Sequence, residues 1–279
     1  MKNGLYIIAT PIGNLGDISP RAIECLKSAE IIACEDTRIS KKLLSLLSVS
    51  INKEFMTLHD HNEEVHTEKI ISKIKEEGKS VALISDAGSP LISDPGYKLI
   101  RTCREQNIYI TTIPGCCALI CALQLSGLPT NRFMFAGFLP NKDKARTDSF
   151  LSVREINATI IFYETANRIQ KTLEAAKEIF ANREMAVARE ITKVYEECIN
   201  GTAEELLAHF SQHPPKGEMV LMIAPPNTSE KEKSIDIKAE LARLMKEKSL
   251  KSAVKEIVET YNLNKNEVYE QALELKNEK

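Results

Sequence analysis

The chain has 279 residues and a net charge of −2, with 43% apolar and 27% charged side chains. This composition is typical of a folded protein long enough for two domains, and it excludes a globally basic nucleic-acid binder while leaving room for a local basic face. No apolar run reaches eighteen residues and no signal peptide is visible, so we expect neither a membrane span nor secretion. Seven cysteines without Cys-x-x-Cys spacing predict core thiols in a reducing cytoplasm.

Short apolar runs alternate with amphipathic stretches through the first half of the chain. The runs at 5–9, 30–34, 55–58, 81–84 and 108–113 have the length of buried strands. The stretches between them have the spacing of helices of about ten to fifteen residues. This alternation predicts βαβ units and therefore an α/β fold with a parallel sheet.

The stretch after the fourth run has the composition of a ligand-binding loop. Gly88 allows a backbone to approach a ligand closely, and Asp86 places a carboxylate at the carboxyl end of a strand. Open α/β sheets bind ligands at that end. Asp94 is predicted to cap the next helix, with Pro95 as the first helical residue. Taken alone, such a loop is more often an ordinary strand-to-helix connection than a ligand site, and its interpretation as a ligand site depends on the further loops of the same kind.

Polar clusters end all five of the predicted strands. They are Thr10 to Asn14, Glu35 to Arg38, His59 to Asn62, Ser85 to Pro90, and Pro114-Gly115. Because parallel strands end at one edge of a sheet, the clusters are predicted to converge on one cleft. Dinucleotide and phosphate-loop fingerprints are absent from the sequence. The spacing of His59, His61 and His66 matches no standard site, so no metal is expected.

The second half predicts a different arrangement and a helical tail. Strands are expected at 132–137, 158–163, 185–189, 194–199 and 218–224. Asn200-Gly201 predicts a turn, and Thr202 to Glu205 predicts a capping box at the start of a helix. The Lys/Glu-rich tail has helical apolar spacing and is interpreted as a small appendage. The expected divisions are an α/β domain at 1–128, a second α/β domain at 129–226 and the helical appendage at 227–279.

Seven motifs occur in a highly specific order. They are Ala9 to Leu15, Glu35 to Arg38, Ser85 to Gly96, Gly127 to Thr130, Gly137 to Pro140, Phe162 to Glu164, and Arg189 to Lys193. Together they closely resemble the bacterial ribosomal RNA small-subunit methyltransferase I family, within the tetrapyrrole methylase superfamily. The resemblance extends from about Gly4 to Ala224 and is weaker in the tail.

The resemblance implies two α/β domains with a cofactor cleft between them, S-adenosylmethionine as methyl donor, and a homodimer. It also implies 2′-O-methylation of a cytidine ribose in the decoding region of 16S ribosomal RNA, so the partner is this RNA or the small ribosomal subunit. The donor-binding residues carried over from the superfamily are Pro11, Asp86, Ala87, Gly88, Ser89, Cys117, Ala118, Tyr163 and Ala188.

Two polar groups offer a proton acceptor beside a cation, which would help a weakly nucleophilic hydroxyl to react. Asp36 and Arg38 follow one strand, and Glu190 and Lys193 follow another. We predict catalytic roles for these four residues, the alternative being structural ion pairs at an interface. The candidate basic faces for RNA are Arg38, Lys41 and Lys42, and Lys142, Lys144 and Arg146.

Two other functions stay open on the sequence. One is methylation of a tetrapyrrole or another small molecule in the same fold. The segment from Thr10 to Asn14 lacks the glycine-rich, acidic first loop usual in tetrapyrrole-modifying members, and this favours RNA. The other is a ribosome-associated RNA-binding module that binds the donor without transferring its methyl group.

Overall fold

The computed structural model describes residues 1–59, 63–226, 237–261 and 264–277. The chain divides into two compact units, Met1–Pro225 and Pro226–Lys279. The first unit contains two five-stranded sheets. The predicted α/β class is confirmed, whereas the predicted domain boundaries stay predictions.

The first sheet is parallel throughout and has the strand order β3-β2-β4-β1-β5. Its strands are β1 (Gly4–Ile8), β2 (Ile31–Cys34), β3 (Glu54–Thr57), β4 (Ser80–Leu83) and β5 (Ile110–Ile113). Every residue of β2 and β4 is buried, because apolar clusters cover both faces of the sheet. With β1 between β4 and β5, the loops that follow these three strands emerge side by side.

Five α-helices lie within the described residues of this half of the chain, besides a short 3-10 helix at Leu15–Asp17. They are α1 (Pro20–Ser28), α2 (Thr37–Leu46), α3 (Glu63–Lys75), α4 (Tyr97–Glu105) and α5 (Ala118–Leu125). The last of them packs against the second sheet, where Leu119, Ala122 and Leu123 join an apolar cluster with Ala188 and Val220. A helix that precedes residue 128 in sequence therefore contributes to the core of the second half.

The second sheet is mixed and has the order β6-β7-β10-β8-β9, with only the β6–β7 pair parallel. Its strands are β6 (Phe133–Phe138), β7 (Thr159–Thr165), β8 (Met185–Arg189), β9 (Glu197–Gly201) and β10 (Glu218–Ile223). The predicted bounds of the strand at 194–199 are wrong, and so is the turn predicted at Asn200-Gly201. Asn200 and Gly201 pair with Ala186 and Met185 inside the ladder, so the connection lies earlier, at residues 190–196.

Three helices cover the outer face of the second sheet: α6 (Asp143–Val153), α7 (Ile169–Phe180) and α8 (Ala203–Gln212). The predicted capping box is confirmed, because Glu205 N donates to the Thr202 hydroxyl and the Glu205 carboxylate accepts from Thr202 N. This pairing satisfies two amide groups that the helix itself leaves without partners.

The second unit is a small helical body, as predicted. Its helices are α9 (Ile237–Leu244), α10 (Leu250–Tyr261) and α11 (Lys265–Asn277). They bury Leu241, Val254, Ile257 and Val268 in a common core. Among the helices within the described residues, none combines the length and hydropathy that crossing a membrane requires.

The cap of α4 differs from the predicted one. The N-cap residue is Gly96, not Asp94, and the helix begins at Tyr97. The buried carboxylate of Glu63, at the start of α3, accepts from Gly96 N at 3.0 Å and from Lys98 N at 2.8 Å. A side chain 33 residues away therefore satisfies the helix terminus, and Asp94 is left for another role.

We expect Glu63→Ala to lower the free energy of unfolding by about 1–2 kcal/mol, because the helix start loses its acceptor. Glu63→Gln retains an amide oxygen at the same place and should lose less. Urea unfolding at neutral pH measures both values. Equal stability of Glu63→Ala and the wild type would show that this carboxylate does not hold the helix.

Candidate active site

A cavity of about 360 Å³ opens where the two sheets of the first unit face each other. Its first wall consists of the loops after β1, β4 and β5. Its second wall consists of the ends of β6 and β7, the segment after β8 and the start of β10. Cavities of this size and mixed polarity hold small organic ligands and cofactors. The predicted cleft between two α/β halves is therefore present.

Two backbone hydrogen bonds join the loops after β1 and β4. Thr10 N donates to Gly88 O at 2.8 Å, and Gly88 N donates to Thr10 O at 3.1 Å. Gly88 has a φ of +83°, a left-handed conformation that side chains other than glycine rarely adopt. A Cβ atom at this position would lie 3.2 Å from Ile12 Cγ2, so glycine lets the two loops pack closely where they line the cavity.

Asp86 provides a carboxylate on this wall. Its Oδ1 atom accepts from Asp36 N at 3.2 Å, which ties the loop after β4 to the loop after β2. Burial raises the pKa of Asp86, and the bond from Asp36 opposes that rise. One carboxylate oxygen is thereby oriented by the protein, while the residue also lines the cavity.

Asp94 is a second carboxylate on the same wall. It lies in a tight segment in which Leu91 and Ser93 have left-handed φ angles of +74° and +68°. Burial raises the pKa of Asp94 to about 6, and the nearby carboxylates of Glu35 and Asp86 add to the rise. At neutral pH Asp94 is therefore ionised but close to its titration point, which suits a proton acceptor.

The second wall combines an aromatic and apolar part with the charged residues Glu164, Glu190, Lys193 and Glu218. The Tyr163 ring packs edge-on against Phe135 at 4.8 Å and Phe138 at 5.5 Å between ring centroids. Burial raises the pKa of Tyr163 to about 12, so its hydroxyl stays protonated. Glu164 also lines the cavity, but its carboxylate is engaged by Arg168 at 3.2 Å and by the Thr172 hydroxyl at 2.7 Å. The aromatic part of this wall therefore offers packing surface and few available charges.

A charged pair stands at one side of the cavity. Lys193 Nζ lies 2.9 Å from Glu190 Oε1, and both residues line the cavity. The segment that carries them is wedged against the loop after β1, since a Cβ atom on Gly13 would lie 2.6 Å from Lys193 Cγ. Asn14 N also donates to the Thr192 hydroxyl at 3.1 Å. The two halves of the site are thus in direct contact.

The structure brings together most of the predicted site residues. The cavity is lined by Asp86, Ala87, Gly88, Ser89, Cys117, Ala118, Tyr163, Glu190 and Lys193. Pro11, Asp36, Arg38 and Ala188 are not among the described residues that line it. Ala188 is buried in the apolar cluster beneath the second wall. Asp36 and Arg38 follow β2, which β4 separates from β1.

Asp36 has the geometry of a structural residue. It caps α2 by accepting from Arg38 N at 2.8 Å, and it pairs with the Arg38 guanidinium at 2.6 Å. These interactions hold the pKa of Asp36 at about 2. A carboxylate with so low a pKa is a weak proton acceptor, so this position suits orientation of Asp86 better than proton transfer.

The sequence reasoning missed several lining residues. They are Ile12, Ile92, Asp94, Phe138, Glu164 and Met219, among others. Ile12, Ile92, Asp94, Phe138 and Glu164 lie within motifs of the family resemblance, which was the available signal. Met219 occupies an ordinary apolar position, and nothing in its local sequence distinguishes it from a core residue.

One of the two predicted basic faces is smaller than expected. The Arg146 side chain is buried, donates to Asn141 O and Asp143 Oδ1, and cannot contact RNA phosphates in this position. Lys142 and Lys144 are exposed, as are Arg38, Lys41 and Lys42. Part of the predicted polar cluster after β3 lies outside the described residues. This part is residues 60–62, which include His61.

Comparisons with known proteins define the class of protein. Residues 4–207 match the family model described as Tetrapyrrole (Corrin/Porphyrin) Methylases, and residues 231–276 match the RsmI C-terminal HTH domain. A solved cobalt-precorrin-4 methyltransferase is similar with a TM-score of 0.57 at 14% identity, over 79% of this chain and 94% of that chain. A uroporphyrin-III-C-methyltransferase from Thermus thermophilus has a TM-score of 0.53 at 18% identity, over 80% and 94%. These two likenesses show the fold alone.

Sequence relatives define the family more narrowly. Ribosomal RNA small subunit methyltransferase I of Rickettsia prowazekii is 50% identical over 224 residues, which cover 80% of this chain and 79% of the relative. The protein of that name from Erythrobacter litoralis is 48% identical over 276 residues, which cover 99% and 96%. The chain belongs to the ribosomal RNA small subunit methyltransferase I family.

Proposed function

We propose that the protein transfers a methyl group from S-adenosylmethionine to the 2′-hydroxyl of a cytidine in the decoding region of 16S ribosomal RNA. The observation that carries the proposal is the cavity between the two sheets, lined by Asp86 and Asp94 on one wall and Tyr163 on the other. The names of the relatives support ribosomal RNA as the substrate class. We also propose a homodimer that acts in the cytoplasm on this RNA or on the small ribosomal subunit.

The cavity suits the proposed donor in its chemistry. The carboxylate of Asp86 can hold hydroxyl or ammonium groups, while Ile12, Phe138 and Tyr163 can cover an apolar ring. When bound, S-adenosylmethionine supplies a methyl group already activated by a positive sulfonium. The protein therefore has mainly to orient the acceptor, an effect that can contribute about 7–11 kcal/mol.

A ribose hydroxyl needs help to become a nucleophile. We assign the proton-accepting role to Asp94, because it lines the cavity and titrates near neutral pH. Lys193, paired with Glu190, is placed to attract a phosphate of the RNA. Asp36 and Arg38 orient Asp86 through the backbone bond from Asp36. These four predicted residues and Asp94 form the proposed catalytic and positioning group.

Mass spectrometry of ribosomal RNA tests the function. A strain that lacks the gene should lose one 2′-O-methylcytidine from 16S RNA, and the wild-type gene should restore it. Purified protein should also methylate small ribosomal subunits from that strain. Methyl transfer to a porphyrinoid alone would indicate a small-molecule enzyme, and donor binding without transfer to RNA would indicate a non-catalytic module.

A further inference from the structure

The turn between β8 and β9, residues 190–196, exposes two apolar side chains to an unusual degree. Val194 is 92% exposed and Tyr195 is 73% exposed, the highest values among large apolar side chains of the described residues. We call these two residues the exposed pair. Single exposed apolar residues are common on proteins, and an adjacent pair that includes an aromatic ring offers a small apolar contact surface.

The 190–196 turn is well ordered by its own hydrogen bonds. Thr192 N donates to the Glu196 carboxylate at 2.6 Å, and Lys193 N donates to Glu190 O at 3.0 Å. Glu196 N donates back to Lys193 O at 3.1 Å. Glu190 and Thr192 have left-handed φ angles of +49° and +65°. These hydrogen bonds hold the backbone that carries the exposed pair in one conformation.

The turn is continuous with the candidate active site. Lys193 lines the cavity, and the Cα atom of Tyr195, two residues later, lies within about 7 Å of the Lys193 Cα atom. The base of the turn is fixed to the loop after β1 by the bond from Asn14 N to the Thr192 hydroxyl. Tyr195 is not among the described residues that line the cavity, but it lies two residues along the chain from one that does.

We propose that Tyr195, supported by Val194, is a platform on which an unpaired nucleobase of the RNA substrate stacks beside the nucleotide whose ribose enters the cavity. The inference rests on the proposed function. A nucleotide of an unpaired segment can be splayed out so that its ribose enters a recessed cavity, and unpaired bases are held by stacking on aromatic side chains.

Steady-state methylation of small ribosomal subunits tests the platform. Tyr195→Ala should raise the KM for subunits by about 5- to 100-fold, the range found when a stacking ring is removed. The turnover number and the Kd for S-adenosylmethionine should change by less than about threefold, since the ring acts in positioning. Tyr195→Phe keeps the ring and should behave like the wild type. Ile51→Ala, at an exposed apolar residue before β3, which is an edge strand of the first sheet, is the matched control.

Fluorescence gives a second readout that does not depend on turnover. The chain contains no tryptophan, so Tyr195→Trp introduces a single indole. Small ribosomal subunits should quench its emission, whereas they should leave the emission of Ile51→Trp unchanged. If subunits quench Tyr195→Trp but the wild type transfers no methyl group to them, the platform is supported and the proposed function is wrong.

Two results would overturn the platform. One is an unchanged KM for Tyr195→Ala together with unquenched Tyr195→Trp, under conditions in which the wild type methylates subunits. The other is a change of oligomeric state in Tyr195→Ala, measured by light scattering, which would assign the exposed pair to an interface with a second copy of the chain.

Discussion

Asp94→Asn is expected to reduce turnover by about 100- to 10,000-fold, the usual contribution of a general base. Asparagine has nearly the same shape but cannot accept a proton, so the Kd for S-adenosylmethionine should stay close to that of the wild type. In the wild type, kcat/KM should fall as the pH drops below about 6, because the Asp94 carboxylate becomes protonated. The residual activity of Asp94→Asn should lack this decline.

The same variant should be more stable than the wild type at neutral pH. The pKa of Asp94 rises from 3.8 to about 6 on folding, so the folded state binds more protons between these values and the free energy of unfolding falls as pH rises. Above about pH 6 the buried charge destabilises the fold by about 1–2 kcal/mol, after allowance for solvent screening. Asp94→Asn removes this cost, and its advantage should vanish below about pH 4.

Single-turnover kinetics and thermal unfolding between pH 4 and 8 measure both effects. Asp148→Asn, a change on an exposed residue of α6, serves as control and should alter neither quantity. Turnover of Asp94→Asn within threefold of the wild type would remove Asp94 from the proposed reaction. A stability gain without a loss of turnover would make its buried charge a purely structural feature.

Asp86→Ala is expected to weaken S-adenosylmethionine binding by about 10- to 100-fold, the value of a lost hydrogen bond to a charged group. The loops after β1 and β4 should stay joined, because the bonds between Thr10 and Gly88 are made by backbone atoms. Thermal unfolding should therefore stay cooperative. Isothermal titration calorimetry measures the Kd.

Asp86→Asn separates charge from position in this experiment. Its amide oxygen can still accept from Asp36 N, so the loop stays oriented while the negative charge is lost. An affinity between those of the wild type and Asp86→Ala would indicate that both properties matter. An unchanged Kd in Asp86→Ala would refute the assignment of this carboxylate to the donor site.

The fold class could be predicted from the sequence alone, because burial of a strand or helix restricts which residues that segment can contain. A strand covered on both faces must be apolar throughout, as Ile31–Cys34 is, and a helix start needs local acceptors, as in the capping box at Thr202. The loops after β1, β4 and β5 were predicted to line one cleft because the ends of parallel strands share an edge. The resemblance carried most of the proposed donor residues to the same cavity.

The tertiary structure decided what depends on partners distant in sequence. Glu63 caps α4 from 33 residues away and leaves Asp94 to the cavity, which no local cap signal could reveal. The position of β4 between β2 and β1 separates Asp36 and Arg38 from the cavity lining, and strand order is not encoded in any single segment. Arg146 looked like a surface cation, yet packing buries it. Val194 and Tyr195 have strong strand propensity, but the pairing of β8 with β9 places them in an exposed turn, because register is set by the whole ladder.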